Sequence, residues 1–202
     1  MGAYKMKQIL DLMVDIETLS TNRDKGVVLS VGIQSFSLTE LPPMEDYSLY
    51  VTIHPHTSVA VGRIKDPDTV SWWHQPKMQA AYMRMQRDLN KSGMSYYEGW
   101  TKVLTELQQL AKEYELHVWC KGLDFDFPMI ESSLRDAGLC HTSADLPYKF
   151  WHKYDMRTIS SMAKRWGWEN PTPSENVPHS ALEDCGVQIE QLRSAWAFLR
   201  GK

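Results

Sequence analysis

The chain has 202 residues, of which 43% are hydrophobic, and its formal net charge is −3. This length suits one domain with a sizeable core, and the charge excludes a global basic field that would attract nucleic acid. The three cysteines are widely spaced and form no CxxC pair, which argues against a disulfide framework and against a zinc knuckle. No apolar run reaches the ~20 residues of a membrane span, and the N-terminus lacks the apolar segment of a signal peptide. We therefore expect a cytoplasmic protein.

Three strand-like runs open the chain, at residues 9–17, 27–38 and 46–54. Short polar connections separate them, and this spacing predicts an antiparallel meander. A helical region follows over about residues 68–88, and Pro76 predicts a break inside it. The segment 90–95 is expected to be a turn.

Helices and strands alternate over the rest of the chain. Apolar residues recur at helical spacing over 95–115, and 116–120 is typical of a short buried strand. Gly138 is expected to end a helix that begins at 127, and Gly167 is expected to end one that begins at 159. The remaining predicted elements are a strand within 148–158, a Pro-rich loop at 168–178 and a final helix over about 180–200. This order predicts one α/β domain with a mixed sheet.

Asp15 and Glu17 interrupt the apolar first strand. Side chains two residues apart in a strand point to the same face, so the two carboxylates are expected to project together. Side by side and partly buried, they would repel each other and lose hydration. A divalent cation that prefers oxygen ligands, such as Mg²⁺ or Mn²⁺, would offset that cost. The alternative is that the strand ends at Asp15 and that both acids lie in solvent or pair with Lys or Arg.

A second acidic site follows the strand at 116–120. Asp124 and Asp126 lie just past that strand, where ligand sites of open α/β sheets tend to be found. Asp126 is followed by Phe127 and Pro128, which is also a favourable helix start, so Asp126 is alternatively a helix cap. The spacing alone does not choose between the two aspartates.

The third site combines a histidine with an acid near the C-terminal helix. Ser180 and Glu183 form an S-x-x-E capping box, which predicts a helix start at Ser180 and leaves His179 outside the helix. If both were helical, His179 and Asp184 would point roughly 140° apart, so they would not hold one metal from one helix face. The two residues instead fit different roles, in which the aspartate binds metal and the histidine transfers protons. A surface or packing histidine is the alternative.

These three sites occur in the order D-x-E, F-D and H-x-A-x-x-D, at residues 15–17, 125–126 and 179–184. Together they resemble the DEDDh 3′–5′ exonucleases of the DnaQ-like superfamily, which have an RNase H-like fold. The chain looks most similar to the compact bacterial and phage branch that includes phage exonuclease DexA and the Rv-type 3′–5′ exoribonucleases. The resemblance implies a single exonuclease domain over 1–202. It also implies an α/β fold whose mixed central sheet has three antiparallel strands, then two strands parallel to the first, with flanking helices.

By the same resemblance, the enzyme would use two Mg²⁺ or Mn²⁺ ions, because metals about 4 Å apart stabilise both the attacking and the leaving oxygen of a phosphodiester. Asp15 would bridge the two ions. Glu17 and Asp184 would complete the site of the water-activating metal, whereas Asp126, which matches the F-D motif, would hold the other. His179 would accept a proton from the attacking water, and the products would be 5′-mononucleotides.

The expected substrate is a nucleic acid with a free 3′ end, with single-stranded DNA favoured and RNA possible. Thr18 and Leu19 follow the metal-binding acids directly and are assigned to the terminal nucleotide, although Leu19 is alternatively a core residue. Trp72 and Trp73 could stack on bases. Neighbours on a helix point about 100° apart, so one of the two faces the substrate, and we assign Trp73. Arg157 is assigned to the substrate, and further basic candidates are Lys121, Arg63, Lys164 and Arg165.

Three other functions fit part of the pattern. A 3′–5′ exoribonuclease would differ in recognising the 2′-OH, for which no residue is evident. A catalytically silent nucleic-acid-binding module would keep the fold, but all four acids and the histidine are present. A zinc hydrolase would use His54 and His56 with an acid, although no third ligand is evident and His54-Pro55-His56 is interpreted as a loop.

Overall fold

The computed structural model of the chain describes residues 7–39, 45–172 and 179–201. Within these ranges the central sheet has five strands, Gln8–Thr18 (β1), Val28–Phe36 (β2), Ser48–Thr52 (β3), Tyr114–Cys120 (β4) and Lys153–Asp155 (β5). Their order is β3-β2-β1-β4-β5. β2 is antiparallel to β1 and β3, whereas β4 is parallel to β1 and β5. This topology confirms the predicted mixed sheet of an RNase H-like α/β fold.

Seven α-helices flank the sheet in the described part of the chain. They are Pro55–Ala60 (α1), Pro67–Trp73 (α2), Gln79–Ser92 (α3), Tyr96–Glu113 (α4), Asp126–Asp136 (α5), Met156–Arg165 (α6) and Ala181–Arg200 (α7). None of these helices is long and apolar enough to cross a membrane.

Several helix boundaries follow local signals. α2 ends at Trp73 and a 3₁₀ turn begins at Pro76, which confirms the predicted break, because proline lacks the N–H that a continuing helix needs. Gly138 and Gly167 follow α5 and α6 with φ values of 70° and 93°, a left-handed conformation that glycine adopts without a Cβ clash. Of the predicted Pro-rich loop, residues 173–178 lie outside the described ranges.

Two predictions of irregular segments are wrong. The segment after His54, interpreted as a loop, forms helix α1, which has Pro55 in its first turn, where the fixed φ of proline suits a helix. The turn expected at 90–95 starts later, because α3 continues to Ser92 and Gly93 follows it.

The two faces of β1 pack against different helices. Its even-numbered apolar residues belong to the core that contains Trp100 of α4. Met13 packs instead with Cys185 of α7, whose thiol lies 3.5 Å from the Met13 carbonyl oxygen. Because alternate residues of a strand share a face, Asp15 and Glu17 lie on the side of the sheet that α7 covers.

A glycine in β2 lets α7 approach the sheet closely. Gly32 pairs with Asp15 across the β1–β2 ladder. A Cβ at Gly32 would lie 2.3 Å from the backbone carbonyl carbon of Ala181, a separation at which two carbon atoms overlap. The absence of a side chain at Gly32 therefore allows the first turn of α7 to sit directly beside Asp15.

Candidate active site

The acids of β1 lie near its C-terminal end. Asp15 pairs with Gly32 and Glu17 with Ser30, and the register of the β1–β2 ladder shifts between Glu17 and Thr18. Such a bulge bends the strand and changes the direction of the side chains next to it. Glu17 is 9% exposed, so the strand continues past Asp15 and the second acid is not free in solvent.

The two aspartates that follow β4 have different surroundings. The Asp124 side chain is 81% exposed and forms an ion pair with Arg23 at 3.7 Å. Asp126, in contrast, is 6% exposed and is the first residue of α5, whose N-cap is Phe125. Its negative charge raises the pKa of Asp15, so the two carboxylates are close neighbours. Asp126 is therefore the aspartate that joins the acids of β1, and it is not the N-cap residue.

The start of α7 brings a histidine and a fourth acid to the same place. His179 precedes Ser180, which is the N-cap residue of α7, as the sequence predicts. The φ of His179 is 52°, a left-handed conformation that is uncommon for a residue other than glycine. Possible ligand atoms of Glu17, His179 and Asp184 lie within 4.8 Å of one another. The three sequence motifs thus converge on one site.

Two further residues of α7 have contacts that the sequence did not reveal. The predicted capping box does not form, because the Glu183 carboxylate pairs with Arg84 at 2.6 Å. Gln188 donates a hydrogen bond from Nε2 to Oδ1 of Asp15 at 2.7 Å. Gln188 is four residues after Asp184 and shares its helix face, a spacing that could have pointed to it.

Burial raises the pKa of each of the four carboxyls. In Asp15 and Glu17, burial acts together with the negative charges of the neighbouring acids, and the pKa lies well above the usual range. Burial raises the pKa of Asp126 to about 7 and that of Asp184 to about 6. Near neutral pH, four ionised carboxylates in one buried site are unfavourable unless a cation accompanies them.

The donor set fits a divalent metal. Oδ1 of Asp184 is buried and has no hydrogen-bond partner in the described part of the chain. Carboxylate oxygens are the ligands that hard cations such as Mg²⁺ prefer. A cation would provide a partner for this oxygen and would offset the repulsion between the acids. The residues that could hold it are Asp15, Glu17, Asp126 and Asp184, with the His179 imidazole next to them.

Two residues assigned to substrate binding belong to the core instead. Trp73 is 1% exposed, and its indole N–H donates a hydrogen bond to the Thr18 carbonyl at 2.9 Å. The assignment of Trp73 to base stacking is therefore wrong, because its ring is covered. Leu19 packs in the same apolar cluster, and its N–H donates to the Val27 carbonyl at 2.8 Å. The core alternative thus describes the Leu19 side chain, whereas Thr18 is partly exposed.

Trp72 is the aromatic side chain next to the site. It is partly exposed, and the centroid of its ring lies 5.3 Å from that of His179 in an edge-to-face arrangement. Its ring also contacts Trp73 edge to face at 5.2 Å. Trp73 therefore supports Trp72 from the core, and Trp72 is the member of the pair that can meet a base.

Two basic residues act on the acids electrostatically. The Arg157 charge lowers the pKa of Asp126 and so opposes the effect of burial. Its Nη2 also donates to the Lys121 carbonyl at 2.7 Å. The Lys121 charge likewise lowers the pKa of Asp15 and that of Asp184. Both side chains are exposed, so they are available to an anionic substrate.

Arg63, His54 and His56, which are also candidates from the sequence, do not belong to the acidic site. Arg63 is 2% exposed and pairs with Asp136 at 3.0 Å, so it supports the fold and is covered from substrate. The rings of His54 and His56 have centroids 5.3 Å apart. Neither histidine belongs to a group of three possible metal ligands among the described residues, which gives a zinc hydrolase at that position no support.

The chain is similar to known nucleases. Residues 10–196 match the model of the 3′-5′ exoribonuclease Rv2179c-like domain. An exodeoxyribonuclease of Enterobacteria phage T4 is 24% identical over 212 residues, which cover 96% of this chain and 92% of that protein. E. coli exonuclease I in complex with a dT13 oligonucleotide has a TM-score of 0.58 at 12% identity, covering 92% of this chain and 40% of that one.

A second exonuclease I, from Methylocaldum szegediense, has a TM-score of 0.58 at 14% identity, with 96% of this chain and 43% of that chain covered. The chain thus spans less than half of the exonuclease I chains, and these likenesses show a shared fold. The family match extends from β1 to α7 and includes every acid of the site. The chain belongs to the Rv2179c-like 3′–5′ exoribonuclease domain family and is a 3′–5′ exonuclease that acts on nucleic acid.

Proposed function

We propose that the chain removes 5′-mononucleotides one at a time from the free 3′ end of single-stranded DNA, with two Mg²⁺ or Mn²⁺ ions. The observation that carries this proposal is the convergence of four carboxyls, three of them buried, and one imidazole near the C-terminal end of β1. Paired divalent metals supply a bound nucleophilic water and stabilise the charge that develops on the scissile phosphate.

The positions of the acids support the following roles. Asp15 has Asp126 and Asp184 as charged neighbours, so it is the residue best placed to bridge two ions. Glu17 and Asp184 would hold one ion, and Asp126 would hold the other. Gln188 orients the Asp15 carboxylate by its hydrogen bond of 2.7 Å, because an amide donor fixes which carboxylate oxygen is left for metal.

His179 is the proposed general base. Burial and the positive charges of Lys77 and Arg84 lower its pKa, so its imidazole is neutral near pH 7 and can accept a proton from the attacking water. The edge-to-face contact with Trp72 limits the orientations of the ring. A base of this kind contributes roughly 10²–10⁴-fold to the rate.

Local features would bind the substrate despite the net charge of −3. Arg157 and Lys121 supply positive charge beside the acids and would contact phosphate oxygens. Trp72 is placed to stack on a base, a contact that tolerates any sequence. Thr18, partly exposed after the bulge of β1, would lie against the terminal nucleotide.

RNA is the second candidate substrate, because the matching family is named for exoribonuclease activity, whereas the T4 relative is named an exodeoxyribonuclease. Either reaction would take place in the cytoplasm of a bacterial cell or a phage-infected host. The three cysteines are free and buried, in keeping with a reducing compartment.

The test uses three 5′-labelled substrates, namely single-stranded DNA, duplex DNA and single-stranded RNA of one sequence, each with Mg²⁺ or Mn²⁺. We expect a ladder that shortens from the 3′ end, fastest on single-stranded DNA, and no ladder with EDTA. A bulky 3′ group should block the reaction. Faster degradation of RNA would replace DNA by RNA as the substrate, and cleavage of a circular single strand would contradict the exonuclease assignment.

A matched pair of variants tests the site itself. Asp126→Asn should nearly abolish turnover, whereas Asp124→Asn, at an exposed position two residues away, should keep most of it. Loss of turnover in Asp124→Asn with activity retained in Asp126→Asn would overturn the proposed ligand set.

A further inference from the structure

A second group of possible metal ligands lies outside the acidic site. Glu115, His117 and His152, here called the histidine cluster, each place one possible ligand atom within 4.8 Å of the others. Nε2 of His152 lies 3.3 Å from Oε1 of Glu115. The ring centroids of His117 and His152 are 4.4 Å apart. All three residues are partly buried.

The histidine cluster lies toward the opposite end of the sheet from the acids. His117 is paired with Asp11 in the β1–β4 ladder, and Asp11 is four residues before Asp15. At about 3.3 Å per residue, this separates the two groups by roughly 13 Å along β1. A metal at the histidine cluster would therefore be separate from the ions proposed for catalysis.

The ligand types favour zinc. Two imidazoles and one carboxylate form a donor set that Zn²⁺ uses, with a water molecule as the fourth ligand. At metal–ligand distances of about 2.0–2.1 Å, tetrahedral ligands are about 3.4 Å apart. The separation of 3.3 Å between His152 Nε2 and Glu115 Oε1 is close to that value.

An ordinary ion pair accounts for only part of this arrangement. The Glu115 carboxylate also lies 3.8 Å from Nζ of Lys149, whose side chain is 55% exposed and can swing away. This ion pair does not involve His117, whose imidazole supplies the third possible ligand atom of the histidine cluster.

We propose that Glu115, His117 and His152 bind one Zn²⁺ ion that holds the edge strand β5 against β4. Two of the ligands are on β4, and the third directly precedes β5, which is only three residues long. Such a short edge strand has few ladder hydrogen bonds to hold it. The metal would anchor β5 and, after it, the start of α6, which carries Arg157 to the acidic site.

Equilibrium zinc binding tests the proposal. The full chain is stripped of metal and titrated with Zn²⁺ against a chromophoric chelator, in a background of Asp15→Asn with Asp184→Asn that disables the acidic site. We expect one Zn²⁺ per chain. Loss of groups that only orient metal ligands costs roughly 10–100-fold in affinity, so His117→Ala and His152→Ala should each weaken binding by about 100-fold or more.

Controls distinguish ligands from bystanders. His141→Ala removes an exposed histidine outside the cluster and should leave zinc affinity unchanged. Should a cluster variant fail to fold, the unchanged cluster can be tested with Co²⁺, whose four-coordinate complexes with nitrogen ligands absorb strongly in the visible region. Absence of zinc binding in the Asp15→Asn, Asp184→Asn background, or equal affinity after His117→Ala, would overturn the proposal.

Discussion

Replacing Asp126 by asparagine should stabilise the metal-free protein while it removes activity. Burial raises the pKa of this carboxyl from its usual 3.8 to about 7. At about 1.4 kcal/mol for each pKa unit, ionising Asp126 costs the metal-free fold up to about 4 kcal/mol. Because the neighbouring acids share the uptake of protons, we expect the neutral amide to gain about 1–3 kcal/mol in the free energy of unfolding.

The gain should depend on pH. A carboxyl whose pKa is higher in the folded than in the unfolded chain favours folding at low pH, and that contribution is lost as the pH rises through the folded value. For Asp126 the loss begins near 3.8 and is complete above about 7. Asparagine does not titrate, so its advantage should be largest at about pH 8 and smaller at about pH 5.

Urea unfolding in EDTA at these two pH values measures the effect. The matched control is Asp124→Asn, which removes only an exposed ion pair and should change the free energy of unfolding by no more than about 0.5 kcal/mol. Saturating Mn²⁺ should then stabilise the wild type more than Asp126→Asn, because it binds the intact site more tightly. A folded Asp126→Asn protein that is less stable than the wild type at pH 8 without metal would refute the reasoning.

Three further substitutions test other contacts. His179→Ala should lower kcat by about 100-fold, or about 2.7 kcal/mol, with Mn²⁺ affinity by calorimetry largely kept; a folded variant that no longer binds metal would make His179 a ligand. Gly32→Ala should destabilise the fold by about 1–3 kcal/mol in thermal unfolding, because its Cβ overlaps Ala181. The control Gly186→Ala should not destabilise the fold, because its Cβ would meet only a side-chain oxygen at 3.6 Å. Equal stabilities of the two variants would contradict the close approach of α7 to Gly32. Trp72→Ala should raise KM for single-stranded substrate by roughly tenfold with a small change in kcat, and an unchanged KM would exclude stacking.

Much of the fold is predictable because its signals are local. An apolar run interrupted by Asp15 and Glu17 indicates a strand with two acids on one face, and Pro76 ends a helical segment wherever the chain goes afterwards. His179 lies outside α7 because Ser180, the residue after it, is the N-cap of that helix. These signals depend on neighbours within a few positions, so the order of elements and the three acidic motifs follow from the residues themselves.

Which side chain of a local pair faces the substrate is decided by tertiary packing. Trp72 and Trp73 differ by about 100° in direction, and only the cluster that packs against α2 determines that Trp73 is buried. Leu19 and Arg63 are covered by residues distant in the chain, which no local spacing reveals. The contact between Gly32 and α7 places Asp184 beside Asp15, and it joins segments about 150 residues apart. Such contacts form only when the helices pack against the sheet, so the tertiary structure, and not the local sequence, determines them.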